Sequence, residues 1–309
     1  MRAKPSCWPS WKPRFKEKRP PALAGQAPEA LKTIVNIPLR NALQQAQHLG
    51  LARLDAQMLL LHSLGRDPND RAWLLAHDDD ALPTDTLAAY LALCQRRAAG
   101  EPVAYLTGCK SFYGLPLAVD ARVLDPRPDT ETLVDWALEL LAPCVAPRIA
   151  DLGTGSGAIA LALQSQRPDA QVLGVDASAD ALDVAQANAV RLGLPVRFVR
   201  SHWLDGVAGP FDAIVSNPPY IRADDPHLAA LTHEPLSALA SGADGLDDIR
   251  TITAQAPARL APGGWLLLEH GWDQADAVQT LLRAAGFCDV GSRHDLAGIA
   301  RCTGGRWDG

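Results

Sequence analysis

The sequence has no apolar run near the roughly 18 residues that a membrane-spanning helix needs. Its longest candidate, around Trp265-Leu266-Leu267-Leu268, is the length of a strand. There is no Cys-x-x-Cys pair, and the six cysteines (Cys7, Cys94, Cys109, Cys144, Cys288, Cys302) lie far apart with no histidine spaced to join them. Neither a zinc site nor a disulfide framework is expected, no metal is called for, and reduced thiols in a cytoplasmic protein are the simple reading. Positive charge is scarce over most of the chain. Residues 1–36 hold eight Lys and Arg against two acidic residues, which leaves 21 basic and 33 acidic residues in the rest. An acidic body lacks the cationic clusters that phosphate contacts require, so no direct nucleic-acid binding is expected, and a protein partner suits it better.

What is present is an ordinary globular composition. With 309 residues, 48% hydrophobic and 21% charged, the chain can form two domains that each bury a core. Residues 1–36 read as a basic, Pro-rich extension, disordered or translated from a start assigned too far upstream, with Val35 as an alternative initiation point. From Leu39 the apolar residues take a helical period: Leu39, Ala42, Leu43, Ala46 and Leu49, then Leu54, Met58 and Leu61, then Leu87, Leu91 and Cys94. Residues 37–105 therefore predict a small helical bundle. Residues 106–120 predict a hairpin linker, with Gly114 near its turn.

Residues 121–309 alternate strands and helices. Arg148 to Asp151, Gln171 to Val175, Val196 to Val199, Phe211 to Ser216 and Trp265 to Glu269 read as strands, and stretches near 157–167, 178–192, 245–260 and 273–285 as helices. That order implies an α/β, doubly wound sheet with ligands at the carboxyl ends of its strands.

Two turns carry the chemistry. Asp151-Leu152-Gly153-Thr154-Gly155-Ser156-Gly157 follows the first strand, and its alternate glycines let the backbone approach a ligand closely. A dinucleotide fingerprint spaces its third glycine one residue later, so the form favours S-adenosylmethionine, with a dinucleotide or a purely structural turn as the alternatives. Asp176 ends the second strand, 23 residues after Gly153; it suits a ribose diol, or serves only as a turn or helix cap before Ser178. Trp203 follows the third strand, where its ring could stack on adenine or simply pack.

The second turn is Asn217-Pro218-Pro219-Tyr220, at the end of Phe211 to Ser216. Each proline locks φ and extends its predecessor, which fixes the Asn217 side-chain oxygen and the Pro218 carbonyl as a rigid acceptor pair. A planar NH2 donates one hydrogen to each and leaves the face of its nitrogen free for an electrophile. An amide or an exocyclic base amine fits such a pair. The histidines, His233 and His270 included, read as structural or surface groups.

In this order, the segments resemble the HemK/PrmC family, the peptide chain release factor glutamine N5-methyltransferases. The resemblance runs from about Leu39 to the C-terminus and rests on Pro126-Arg127-Pro128-Asp129-Thr130-Glu131, the Asp151 to Gly157 loop, Ile214 to Ile221, Glu234-Pro235-Leu236-Ser237-Ala238-Leu239 and Leu268-Glu269-His270-Gly271. It implies a Rossmann-like class I methyltransferase sheet of seven strands with an N-terminal helical bundle and a β-hairpin linker. It also implies methyl transfer from S-adenosylmethionine to the side-chain nitrogen of the glutamine in the Gly-Gly-Gln tip of class I release factors. By that resemblance Asp151, Gly153, Thr154, Gly155, Ser156, Gly157, Asp176, Trp203 and Asn217 line the cofactor pocket, and Asn217, Pro218, Pro219 and Tyr220 hold the glutamine. Asn217, Pro218 and Tyr220 are the expected catalytic residues, in a cytoplasmic enzyme expected to be a monomer. Two positions depart from the family pattern: His202, where an acidic residue is more usual, and Asp125, where an apolar one is. The rival reading is an amino-methyltransferase acting on a flipped nucleic-acid base.

Overall fold

The structure, a computed structural model, describes residues 37–309; the extension expected at 1–36 lies outside the described residues. The chain divides after Thr107 into two compact units. Described residues of the first unit form five helices, α1 (Leu39–His48), α2 (Arg53–Ser63), α3 (Arg71–Ala76), α4 (Thr84–Ala98) and α5 (Val103–Thr107), with a short antiparallel pair of β1 (Ile37–Pro38) and β2 (Ala81–Leu82). Their core holds Leu39, Ala42, Ala46, Leu59, Leu60, Leu61, Tyr90 and Cys94. The Tyr90 hydroxyl is satisfied inside it by donating to the Ala56 carbonyl at 3.2 Å. The periodicity expected over Leu49 and Leu54 is not used, since both are exposed. In α2 the buried stripe is Ala56, Leu59 and Leu60 instead, and Leu61 joins it.

The second unit opens with an antiparallel hairpin, β3 (Cys109–Phe112) and β4 (Leu115–Ala118). Its two-residue turn, Tyr113-Gly114, has positive φ at both positions, which matches the right-handed twist of the flanking strands. Helix α6 (Glu131–Leu140) follows, then the alternation β5 (Arg148–Leu152), α7 (Ala158–Gln166), β6 (Gln171–Asp176), α8 (Ala179–Leu192), β7 (Arg197–Arg200), β8 (Phe211–Ser216), α9 (Asp247–Gln255), β9 (Leu260–Glu269), α10 (Ala275–Ala284), β10 (Cys288–His294) and β11 (Ala300–Trp307). The strands form one seven-stranded sheet in the order β10-β11-β9-β8-β5-β6-β7. β7, β6, β5, β8 and β9 pair in parallel, and β11 runs antiparallel to both β9 and β10. This is the class I methyltransferase sheet.

Its core is continuous from the strand interiors, Ala150, Leu152, Ile214, Leu266 and Leu268, to the inner faces of α9 and α10, Ile249, Ile252, Val278 and Leu282. Among the described residues no helix is long and apolar enough to cross a membrane. Cys94, Cys144, Cys288 and Cys302 are free thiols.

The strands absent from the residue-by-residue reading, β10 and β11, contain Gly291, Gly304 and Gly305, and glycine weakens a strand pattern. Packing demands it here. A Cβ on Gly304 would collide with the Leu267 side chain and lie 3.0 Å from both the Leu266 carbonyl oxygen and the Trp136 ring. Gly304→Ala is expected to destabilise the protein by about 1–3 kcal/mol through overpacking. Urea unfolding of the two proteins measures it, and an unchanged midpoint contradicts the packing argument.

Candidate active site

The order of the sheet reverses between β5 and β8: β6 and β7 lie beyond β5 on one side, and β9 beyond β8 on the other. In open parallel sheets that reversal opens a crevice at the carboxyl ends of the two strands. Leu152 pairs with Ser216, whose hydroxyl donates to the Leu152 carbonyl at 2.7 Å. Ser216 also pairs with Leu268 of β9. The next residues on the three strands are Gly153, Asn217 and Glu269, so the glycine loop, the Asn-Pro-Pro-Tyr turn and the end of β9 leave the sheet side by side.

The glycine loop is built from positive φ angles, 68° at Gly153, 54° at Gly155 and 82° at Gly157, which L side chains rarely adopt. A Cβ on Gly155 would meet only the Gly153 carbonyl at 4.0 Å, so the loop presents open backbone there. Beneath the loop Asp151 acts as a tie. Its Oδ2 accepts from the Thr154 hydroxyl at 2.6 Å and from the Ala160 amide at 3.1 Å, while Oδ1 has no partner. The carboxyl is 0% exposed, and burial pushes its pKa up to about 7 against the pull of those two hydrogen bonds. Thr154 and Ser156 are buried as well, the Ser156 carbonyl accepting from Asn188 Nδ2 at 2.9 Å. Of the residues expected to touch the cofactor, Asp151, Thr154 and Ser156 thus shape the loop from within, while Gly153, Gly155, Asp176, Trp203 and Asn217 keep exposed surface.

Asp176 fastens the loop from the next strand. Its Oδ2 accepts from the Gly155 amide and its Oδ1 from the Ser178 amide, each at 2.9 Å. The cap of α8 is Ser178, whose hydroxyl oxygen accepts from the Ala181 amide, so Asp176 is not the cap. The Trp203 ring lies 3.3 Å from the position a Gly153 Cβ would take, and its indole N–H donates to Asp248 Oδ1 at 3.1 Å. His202, one of the two departures, is exposed and lies 3.7 Å from Asp205.

On the other side of the crevice, Asn217 Nδ2 donates to Thr130 Oγ1 at 3.2 Å. Pro218 and Pro219 are buried, and Tyr220 is clamped through its backbone: its amide donates to the Leu239 carbonyl at 3.2 Å, and its carbonyl accepts from Gln274 Nε2 at 3.0 Å. At Gly245, φ +77°, any Cβ would strike the Tyr220 carbonyl. Burial pushes the Tyr220 phenol well above its ordinary pKa, so it stays protonated at neutral pH. Asn217 and Tyr220 line a cavity of about 150 Å³ together with Leu124, Arg127, Ile221, Leu231, Ala238 and Leu239.

Arg127 is fixed at that cavity by Glu234, 2.5 Å from its Nη2. Asp125, the second departure, is buried beside it. Its amide donates to Glu234 Oε2 at 3.2 Å and its carboxylate pairs with Lys110 Nζ at 3.0 Å, so the two acids and two bases balance. The cost of burying a carboxylate where an apolar residue is more usual is offset by the Lys110 charge from the hairpin.

Residue-level reading of the sequence missed Thr130, Glu269, Arg127 and Glu234 as parts of the site. Nothing in their local sequence marks them as site residues: Arg127, Thr130 and Glu234 fall in segments singled out only by resemblance, and Glu269 reads only as the end of a strand. His270 is structural: its ring nitrogens meet the Gly271 carbonyl at 2.8 Å and the Thr303 hydroxyl at 2.7 Å in a fully buried position, and burial lowers its pKa.

Both units of the chain are similar to known proteins. The chain matches the family models for the PrmC N-terminal domain over residues 39–108 and for the methyltransferase small domain over residues 130–283. It is 51% identical over 263 residues to a release factor glutamine methyltransferase of Xylella fastidiosa, covering 84% of this chain and 94% of the relative. The protein of the same name from Escherichia coli is 45% identical over 275 residues, covering 87% and 97%. Among solved structures, the catalytic domain of hMettl16 in complex with the MAT2A 3'UTR hairpin 1 superposes with a TM-score of 0.54 at 15% identity, covering 78% of this chain and 91% of that one, a likeness of fold alone. By sequence identity and coverage, the chain belongs to the release factor glutamine methyltransferase family.

Proposed function

We propose that this chain transfers a methyl group from S-adenosylmethionine to the side-chain nitrogen of the glutamine in the Gly-Gly-Gln tip of class I release factors. The observation that carries the reading is the orientation of Asn217. Its NH2 group is engaged by Thr130, so its carbonyl oxygen is the group left for a ligand. The residues around the crevice fit the cofactor. The Gly155 backbone is open, Asp176 offers its remaining lone pairs to a ribose diol, and Trp203 borders the loop where an adenine would lie.

When bound, the sulfonium supplies an electrophilic methyl group. A carboxamide nitrogen is a poor nucleophile because its lone pair is delocalised into the carbonyl. Asn217 Oδ1 and the Pro218 carbonyl each accept one N–H of the glutamine amide, which localises that pair and stabilises the positive charge that grows on nitrogen during attack. As the N–C bond forms the S–C bond breaks, and one amide proton then leaves to solvent. No strong base is needed. Alignment of nitrogen, methyl and sulfur contributes on the order of 7–11 kcal/mol, and the buried prolines hold the acceptors for it. Tyr220 and the apolar wall of Leu124, Ile221, Leu231 and Leu239 enclose the glutamine stem and exclude water.

In this reading residues 37–105 recognise the release factor, 106–120 link, and 121–309 carry out transfer. The enzyme acts as a cytoplasmic monomer, and it does not bind nucleic acid directly, a point that the 33 acidic against 21 basic residues beyond residue 36 support.

With labelled donor, label is expected in a release factor and not in RNA or DNA offered in parallel; label in a nucleic acid alone overturns the assignment. Asn217→Ala is expected to lower kcat by about 10²–10³-fold, by analogy with loss of one preorganised polar group, with cofactor affinity largely kept. Near-normal turnover would remove the proposed mechanism. Asp176→Ala is expected to weaken cofactor binding about 10- to 100-fold, the scale of a charge-assisted hydrogen bond. Calorimetry returning the wild-type affinity refutes the ribose role.

A further inference from the structure

We infer that Glu269 and Thr130 are positioning residues for methyl transfer, holding the Asn217 carboxamide with Nδ2 turned inward so that Oδ1 faces the substrate amide. The inference rests on the functional reading above and deepens it. Three observations carry it. Strand register sets Glu269 beside Asn217, because β8 and β9 pair up to Ser216 and Leu268. Asn217 Nδ2 points at Thr130 Oγ1, 3.2 Å away. A hydroxyl has one proton, and with an N–H already directed at its oxygen that proton is free for the Glu269 carboxylate, which Thr130 and Asn217 both stabilise. Finally, Glu269 is 1% exposed and its Oε2 has no partner, a costly arrangement that a role at the site accounts for.

The chemistry follows from acceptor-only behaviour. An ionised carboxylate can only accept, so it fixes the direction of the Thr130 hydroxyl and, through it, which end of Asn217 faces the cavity. It also draws the Asn217 N–H bonds toward itself, which increases electron density on Oδ1 and strengthens it as an acceptor. A protonated Glu269 can donate, and the constraint on Asn217 is then lost.

The charged and titratable groups around Glu269 come from three sides. β11 contributes Arg301 and Cys302, the turn before α6 contributes Asp129, and the turn after β8 contributes Tyr220. Arg301 is itself held by Asp295 Oδ2 at 3.0 Å and by Asp129 at 3.4 Å, so its charge is shared. Burial outweighs the hydrogen bonds and Arg301, and pushes Glu269 up to about 7. The orienting carboxylate is therefore gained as pH rises through neutrality.

The test measures kcat and KM for transfer to a release factor across about pH 5.5–8.5 in wild type, Glu269→Gln, Thr130→Val and Thr130→Ser. Wild-type kcat is expected to rise with an inflection near 7. Glu269→Gln and Thr130→Val are expected to lose about 10- to 100-fold in kcat, less than loss of the acceptor itself, with KM for the cofactor unchanged. The profile of Glu269→Gln should be flat, and Thr130→Ser should restore most of the rate. Wild-type kcat and an unaltered profile in Glu269→Gln overturn the inference. A second readout is independent of turnover: the side-chain NH2 resonances of Asn217 should titrate near 7 in wild type and not in Glu269→Gln. Absence of that titration in wild type overturns the inference. Failure of wild type to methylate a release factor overturns the functional reading instead, and the amide titration still decides this one.

Discussion

Because β5, β8 and β9 run parallel and in one register, their last paired residues, Leu152, Ser216 and Leu268, stand in a row at the sheet edge. Every component of the site is one residue beyond that row or tied to it. Gly153 begins the glycine loop, Asn217 the Asn-Pro-Pro-Tyr turn, and Glu269 closes β9. A slip of one residue in either pairing would turn the side chains to the opposite face, because side chains alternate along a strand. The fully buried Ile214, Leu266 and Leu268 oppose such a slip by fixing which faces meet the core. Hydrophobic burial in the sheet interior thus specifies the relative position of groups that themselves bury little apolar surface.

The two motif loops are held by different means, suited to what each presents. The glycine loop offers backbone, and it is fixed from below and from the side by carboxylates: Asp151 binds the Thr154 hydroxyl and the Ala160 amide, and Asp176 binds the Gly155 amide. The Asn-Pro-Pro-Tyr turn offers two oxygens. It is fixed by prolines that restrict φ, by the Leu239 carbonyl and by Gln274, none of which consumes the Asn217 carbonyl oxygen. Rigid support with unspent acceptors is the condition for preorganised stabilisation of charge in a transition state.

Much of this was legible in the sequence, and what was not has an identifiable cause. Strands β5 to β9 stand out as apolar runs bounded by turn residues, and the glycine and proline turns announce backbone requirements that are local. Strands β10 and β11 are hidden because Gly304 and Gly305 meet a packing demand from Leu267 and Phe287 on other elements. Leu49 and Leu54 show the converse: a helical period reaches them, yet both face solvent, Leu49 because it lies just past the C-terminus of α1, and Leu54 because in α2 Leu59, Leu60 and Leu61 take the places in the bundle. The turn alone names the Asn217 oxygen as an acceptor, but what holds its NH2 inward is not legible locally. Its hydrogen-bond partner Thr130 is 87 residues away, and a side-chain amide next to prolines has no intrinsic preference for either end.

Burying Glu269 sets a conflict between stability and chemistry. Its folded-state pKa lies above the usual carboxylate value, so the neutral acid is the form that the fold favours. That contribution is fully present below the unfolded-state pKa and is lost as pH rises through about 7. Asp151, pushed up to about 7 by the same burial, behaves alike. The half-buried His62 and the buried His270 have depressed values and oppose this trend, since they are destabilising when charged at lower pH. Near neutrality the protein gives up part of its stability to ionise a carboxylate that touches no solvent. The opposing ion is Arg301, whose charge is shared with Asp129 and Asp295. Full neutralisation by a dedicated arginine would lower the Glu269 pKa and relieve the strain, but it would also remove the unpaired negative field beside Asn217. A cation grows on the substrate nitrogen during transfer, and a carboxylate left partly uncompensated on the far side of the acceptor favours that charge more than a neutral pair could.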